Sequence, residues 1–171
     1  DLGEMRELIT SLLESERLSQ GHSALQAEAV DLAALVRDAV AALPGAPAVR
    51  IDVGALGAPV QADPMRLRLL LRNLLENALR HGAGGDAPVT VFARRESDGR
   101  LALGVRDFGP GVPADQLPLL AQAFYRPDSA RTRRSGGVGL GLYLCRLVAQ
   151  AHGGELHIQN GLPGLEVAMV W

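Results

Sequence analysis

Asp63-Pro-Met-Arg-Leu-Arg-Leu-Leu-Leu-Arg-Asn-Leu-Leu-Glu-Asn-Ala-Leu-Arg-His81 is the stretch on which the reading of this chain turns. Asp at a cap and Pro at the first helical position are matched start signals, so a helix is expected from Asp63-Pro64 to about Arg80. Leu67, Leu71, Leu74, Leu75 and Ala78 mark its core face. Asn73, Asn77, Arg80 and His81 recur at i, i+4, i+7 and i+8 and share another face. A solvated face could carry such residues. Two amides on so apolar a helix also fit a second use. An Asn oxygen can bind Mg²⁺ while phosphates and waters complete the octahedron, with Arg80 and His81 reaching the phosphates.

Three more islands follow downstream, and their order and spacing matter more than any one of them. Asp107-Phe-Gly-Pro-Gly111 ends a strand. Its carboxylate accepts hydrogen bonds only, which suits the exocyclic amino group of adenine, and Gly109 and Gly111 let backbone lie close to a flat base. An ordinary strand-ending turn is the alternative. Phe124-Tyr-Arg-Pro-Asp128 comes next, with Arg126, Arg131, Arg133 and Arg134 as phosphate-facing charge or as a merely solvated run. Gly136-Gly-Val-Gly-Leu-Gly-Leu142 runs into a helix, whose exposed N–H groups bind phosphate. It could instead be a plain hinge, and it lacks the G-x-G-x-x-G register of dinucleotide folds.

Around these islands the periodicities predict a helix over residues 2–27 with a seam of Leu2, Met5, Ile9 and Leu12, widened by Leu8 and Leu13. A second helix is expected over 31–43 with Asp31 as cap, then a strand Val49–Val53 and a short one at Pro59–Ala62. Val89–Arg94 and Leu101–Arg106 read as a hairpin across Ser97-Asp-Gly99. A short helix near 115–122, a helix Gly139–Ala151 and a last hairpin, Glu155–Gln159 with Glu166–Val170, complete the outline. The fold class is α+β: a two-layer α/β sandwich, with a mixed, mostly antiparallel sheet, helices on one face and an N-terminal helix in front.

Composition removes several alternatives. All 17 basic residues are Arg, so neither a Walker-A loop nor a protein-kinase strand Lys can exist here. A net charge of −2 gives no footprint for nucleic acid. Cys145 is the single cysteine, which excludes an internal disulfide. No apolar run reaches the length of a membrane span. The chain opens at Asp1 in mid-pattern, which is read as the start of a fragment.

The four islands resemble the N, G1, F and G2 boxes of the sensor histidine kinase catalytic domain, a branch of the Bergerat-fold superfamily that includes gyrase. The resemblance covers about residues 30–171 and implies two parts. Residues 1–28 are similar to the second helix of the dimerisation and phosphoacceptor hairpin, and 29–171 to the ATP-binding catalytic domain. It implies ATP and Mg²⁺ as ligands. Asn77 would sit on the metal, with Asn73, Asn77 and Arg80 as the catalytic group. Arg80, His81, Asp107, Gly109, Gly111, Phe124, Arg126, Gly137, Gly139, Leu140 and Gly141 would hold the nucleotide beside Asn77. Residues 112–138 would form a lid anchored by Phe124 and hinged at Gly139 and Gly141. Two positions depart from the pattern. Val138 and Leu165 stand where hydroxyl residues are usual, so Asp107 is expected to lose a supporting hydroxyl.

The family's phosphoacceptor motif belongs to a first hairpin helix that these residues do not contain; His22 lacks its context, and His152 and His157 read as structural. The resemblance implies transfer of the γ-phosphate to that His and relay to a response-regulator Asp. It further implies a homodimeric parent at the bacterial inner membrane, with this part cytoplasmic. The fragment itself is expected to be a monomer or a weak dimer through helix 2–27. A Ser/Thr kinase of the anti-sigma type and a non-catalytic nucleotide-sensing module remain as alternatives.

Overall fold

The computed structural model describes residues 2–19, 25–82, 84–126 and 139–171. His22, Asp128, Arg131, Arg133, Arg134, Gly136, Gly137 and Val138, with residues 127–138 of the expected lid, lie outside them. In chain order the elements are α1 (Leu2–Ser19), β1 (Glu28–Val30), α2 (Leu32–Ala41), β2 (Val49–Val53), β3 (Val60–Ala62) and α3 (Pro64–His81). There follow β4 (Val89–Arg95), β5 (Leu101–Arg106), a 3-10 turn (Ala114–Leu119), α4 (Gly141–Ala151), β6 (Glu155–Asn160) and β7 (Leu165–Val170).

Five strands form one sheet in the order β2-β4-β5-β7-β6. Only the β2–β4 pair is parallel; the other pairs are antiparallel. Alternation puts Val89, Val91, Leu101, Leu103, Val105, Leu165, Val167 and Met169 on one face, where α2, α3 and α4 cover them. The opposite face carries a small cluster of Phe92, Ala102, Ala168 and Val170. There the Phe92 ring lies over Gly104, where a Cβ would come within 2.7 Å of it. The expected sandwich with helices on one face is therefore present.

The expected helix starts hold. Asp31 accepts from the Ala34 N–H at 3.2 Å. Asp63 accepts from the N–H groups of Met65 and Arg66 at 3.1 and 3.2 Å. Three of the boundary differences have a visible cause. The N-terminal helix does not run to residue 27, because residues 25–27 are non-helical and lead into β1, which pairs with β3. The Gln26 N–H is bound instead by Asp63 Oδ2 at 3.0 Å, a tertiary bond that local propensity cannot reveal. The helix expected from Gly139 begins at Gly141, since Gly139 sits at φ +84°. The expected helix near 115–122 is the 3-10 turn at 114–119, with Pro118 inside it.

On α1, Leu18 packs against the core and Leu8 is half-buried, while Leu2, Met5, Ile9, Leu12 and Leu13 are exposed. The expected seam thus faces outward, but Leu8 belongs to the inner stripe. Arg72 of α3 reaches Glu14 of α1 at 3.4 Å.

Asp63 also ties α3 to the end of α4. Its backbone N–H donates to His152 Nε2 at 3.0 Å. Nδ1 of the same ring lies 2.9 Å from the Val148 carbonyl, which can only accept. The two bonds together require the neutral ring with its proton on Nδ1. Burial pushes the His152 pKa below its ordinary value near 6.5, against the Val148 bond and the Asp63 charge. The neutral form is therefore the folded one. Its contribution is intact above about pH 6.5 and is lost as pH falls below that value, where the unfolded chain takes up the proton. We expect His152→Gln to lower stability near neutrality by about 1 kcal/mol. The melting temperature of the variant should fall less steeply than the wild type's between about pH 6.5 and 5. Parallel slopes in pH-dependent melts would refute this.

Candidate nucleotide site

Asp107 follows the last residue of β5, and its backbone N–H donates to the Leu165 carbonyl at 3.0 Å. The side chain is 5% exposed. Oδ1 accepts from the N–H groups of Gly109 at 3.0 Å and Leu165 at 3.2 Å. Burial pushes this carboxyl above the ordinary carboxylate range, opposed by those two N–H groups and by the charges of His81 and Arg106. The expected loss of a hydroxyl at Leu165 is thus met by that residue's own backbone, while its side chain lies in the core.

Space around Asp107 is made by glycines. Gly82 caps α3, and a Cβ there would collide with the Asp107 side chain. At Gly85 a Cβ would strike the Phe108 carbonyl, and at Gly109 it would come within 2.8 Å of the Gly82 Cα. The end of α3 and the Asp107–Gly109 turn therefore touch backbone to backbone. Gly111, at φ +70°, faces Asn160. The Asn160 amide clamps Val112, accepting from its N–H at 3.1 Å and donating to its carbonyl at 2.7 Å. Gly82, Gly85 and the Asn160 clamp were missed by sequence reasoning. The run Gly82-Ala-Gly-Gly85 directly after a helix was a readable signal. Asn160 read only as part of a turn.

The other two islands meet where Phe124 lies against Gly139. The Phe124 N–H donates to the Gly139 carbonyl at 2.9 Å. A Cβ on Gly139 would lie 2.8 Å from the Phe124 carbonyl carbon. Phe124 itself is 57% exposed and takes φ +66°. Leu140 is buried and precedes α4, so only its backbone can face a ligand. Gly141 opens α4 beside Asn73, whose Oδ1 would lie 3.3 Å from an added Cβ. Asn73 Nδ2 donates to the Leu69 carbonyl at 2.9 Å, which orients that oxygen toward Gly141.

Asn77 is half-buried one turn further along α3, and its amide has no hydrogen-bond partner among the described residues. Arg80 lies 3.9 Å from Glu7 of α1, so it is turned toward that helix. Arg126 and His81 are half-buried, Arg126 two residues after Phe124 and His81 at the end of α3. No group of three His, Cys, Asp or Glu side chains able to hold a metal exists among the described residues. A divalent cation would need ligands from elsewhere, such as phosphate oxygens, beside the Asn77 amide.

The end of α3 thus packs through glycines against the turn after β5, with one buried carboxylate there, and the start of α4 lies beside Asn73 of the same helix. Residues 62–168 match the family described as histidine kinase-, DNA gyrase B-, and HSP90-like ATPase, and the chain belongs to that family. It is 36% identical over 160 residues to the signal transduction histidine-protein kinase AfsQ2 of Streptomyces coelicolor, covering 94% of this chain and 29% of that protein. It is 34% identical over 169 residues to the sensor histidine kinase MtrB of Mycobacterium tuberculosis, covering 96% of this chain and again 29% of that protein. The chain therefore spans under a third of the length of these relatives. Among solved structures it is similar to full-length ShkA in complex with AMPPNP, with TM-score 0.82, 27% identity, and coverage of 98% of this chain and 36% of that one. No helix among the described residues is long and apolar enough to cross a membrane.

Proposed function

We propose that this chain is the ATP-binding catalytic part of a two-component sensor histidine kinase. It presents the γ-phosphate of Mg-ATP to a histidine outside these 171 residues, for relay to a response-regulator aspartate. The observation that carries the reading is Asp107. A buried carboxylate held through one oxygen by two backbone N–H groups, in a turn that glycines let pack against the end of α3, is an acceptor suited to an amino group on a flat base. The sensor-kinase relatives and the AMPPNP complex of ShkA support it.

The residues at the other end fit phosphate and metal. Asn77, whose amide has no hydrogen-bond partner among the described residues, offers its oxygen to Mg²⁺, and the first turn of α4 offers its N–H groups to phosphate. Arg80 and His81 supply charge from the end of α3. The exposed Arg80–Glu7 pair is weak enough, at roughly 1 kcal/mol or less, to yield to a phosphate. Gly137, Gly139 and Gly141 would let the lid fold over the phosphates, with Phe124 as its anchor and Arg126 near its base.

Water is a poor acceptor in this site. Asn73 stands one turn before Asn77, where an amide cannot take a proton. Glu76 lies about 100° away around the helix and lines the groove between α1, α2 and α3. The chain thus holds the phosphate in place for another nucleophile. The same reading makes the parent a homodimer at the bacterial inner membrane, with this part cytoplasmic.

Calorimetric titration with Mg-AMPPNP tests the first half. Incubation with ATP and a separately made phosphoacceptor hairpin from a related sensor kinase tests the second. The expected results are saturable binding and acid-labile, base-stable phosphate on the hairpin. Failure to bind nucleotide overturns the whole proposal; binding without transfer to several such hairpins overturns the kinase part.

A further inference from the structure

Arg106 packs against the Asp107 loop from the side of the β6–β7 turn. Its Nη2 donates to the Gly161 carbonyl at 2.7 Å and to the Pro163 carbonyl at 3.3 Å, both in the turn between β6 and β7. Its guanidinium carbon stands 4.5 Å from the centre of the Phe108 ring. A Cβ on Gly161 would come within 2.7 Å of its Nε, which is buried and has no hydrogen-bond partner among the described residues. Burying a guanidinium nitrogen without an acceptor is unfavourable, so stability alone does not explain this arrangement.

What the turn does is visible on its other side. Gly164 lies against the Asp107 carbonyl, and Leu165 donates its N–H to Asp107 Oδ1 at 3.2 Å. Asn160, at the turn's start, clamps Val112. One turn therefore supports both ends of the Asp107–Val112 loop, and Arg106 ties that turn to the ring between Asp107 and Gly109. We propose that Arg106 is a positioning residue for base recognition: by pinning the β6–β7 turn and covering Phe108, it sets the direction of the Asp107 carboxylate and so the preference for adenine. This rests on the nucleotide-binding reading above.

The groups whose charges act on Asp107 are Arg106 itself and His81 from α3. Removing the Arg106 charge favours the protonated carboxyl, so the acid limit of adenine-nucleotide binding moves to higher pH. His81 is unchanged in every variant and cannot produce that difference.

The experiment compares wild type, Arg106→Ala, Arg106→Lys and Arg94→Ala, titrated with Mg-AMPPNP and Mg-GMPPNP at several pH values. Arg94 stacks on Phe92 of the same sheet face, 4.6 Å from its centre, and serves as the control. Arg106→Ala is expected to bind AMPPNP about tenfold more weakly, with a smaller adenine-to-guanine ratio and a raised acid limit. Arg106→Lys should recover the acid limit but only part of the ratio, having charge without a planar fork. Arg94→Ala should match wild type. A folded Arg106→Ala with wild-type affinity, ratio and acid limit overturns the inference. If that variant does not fold, Arg106→Lys decides: an unchanged base ratio overturns it and a reduced one upholds it. Wild type that binds neither nucleotide overturns the nucleotide reading and this inference with it, whereas binding that is indifferent to Arg106 overturns this inference alone.

Discussion

Asp107→Asn should weaken Mg-AMPPNP binding at least about 100-fold while leaving the fold intact. The substitution keeps an oxygen that can accept from the N–H groups of Gly109 and Leu165, so the turn is held as before. What changes is the second oxygen, which becomes an NH₂ donor. Facing the donor amino group of adenine, it loses a charge-assisted bond worth roughly 1.5–3 kcal/mol and sets two donors against each other. Stability should move the other way or not at all. Burial raises the Asp107 pKa, so its charge opposes folding at neutral pH, and a neutral amide relieves that cost. Calorimetry and thermal melts together make the test sharp. A variant that binds within about threefold of wild type sinks Asp107 as the base-recognition group, and one that loses binding only by unfolding shows a structural role instead.

The contrast between residues that were legible in the sequence and those that were not has a physical basis. Local signals read well where one bond decides the structure. Asp31 and Asp63 cap their helices through bonds two or three residues away, and alternation in β4, β5 and β7 placed the core. Asp107 could be singled out as a candidate only because its island stands in order with three others, since a strand-ending turn would account for it alone. The features that escaped are held by long-range contacts. Gln26 leaves the helical pattern because its N–H is taken by Asp63, 37 residues on. Asn160 reaches back 48 residues to Val112. Arg106 contacts carbonyls more than 50 residues away and read only as the last residue of a hairpin strand. Leu165 looked like a lost hydroxyl because a side chain is visible in sequence and a backbone N–H is not.

Glycines separate two effects that are usually confounded, and three of them around this fold predict an order of damage. Gly57 sits at φ +80° with nothing within 4 Å of an added Cβ, so Gly57→Ala tests backbone conformation alone, at roughly 1 kcal/mol. Gly82 has φ −94°, acceptable for alanine, but its Cβ would collide with the Asp107 side chain. Gly164 combines both penalties, with φ +88° and a Cβ directed at the Asp107 carbonyl oxygen. Neither that carbonyl nor the Phe108 Cα, 2.8 Å away, can rotate aside as a flexible side chain would. Relief requires the start of β7 to part from the end of β5, which withdraws the Leu165 N–H from Asp107. Gly164→Ala should therefore cost about 2–4 kcal/mol, a fall of roughly 5–15 °C in melting temperature for a chain of this size. It should also weaken nucleotide binding at least about tenfold, because the carboxylate loses one of its two supports. Gly82→Ala should fall between the two in stability and also impair binding, while Gly57→Ala leaves binding alone. Equal losses for Gly57→Ala and Gly164→Ala would mean that the strained φ, and not the contact with Asp107, is what glycine is needed for at the β6–β7 turn.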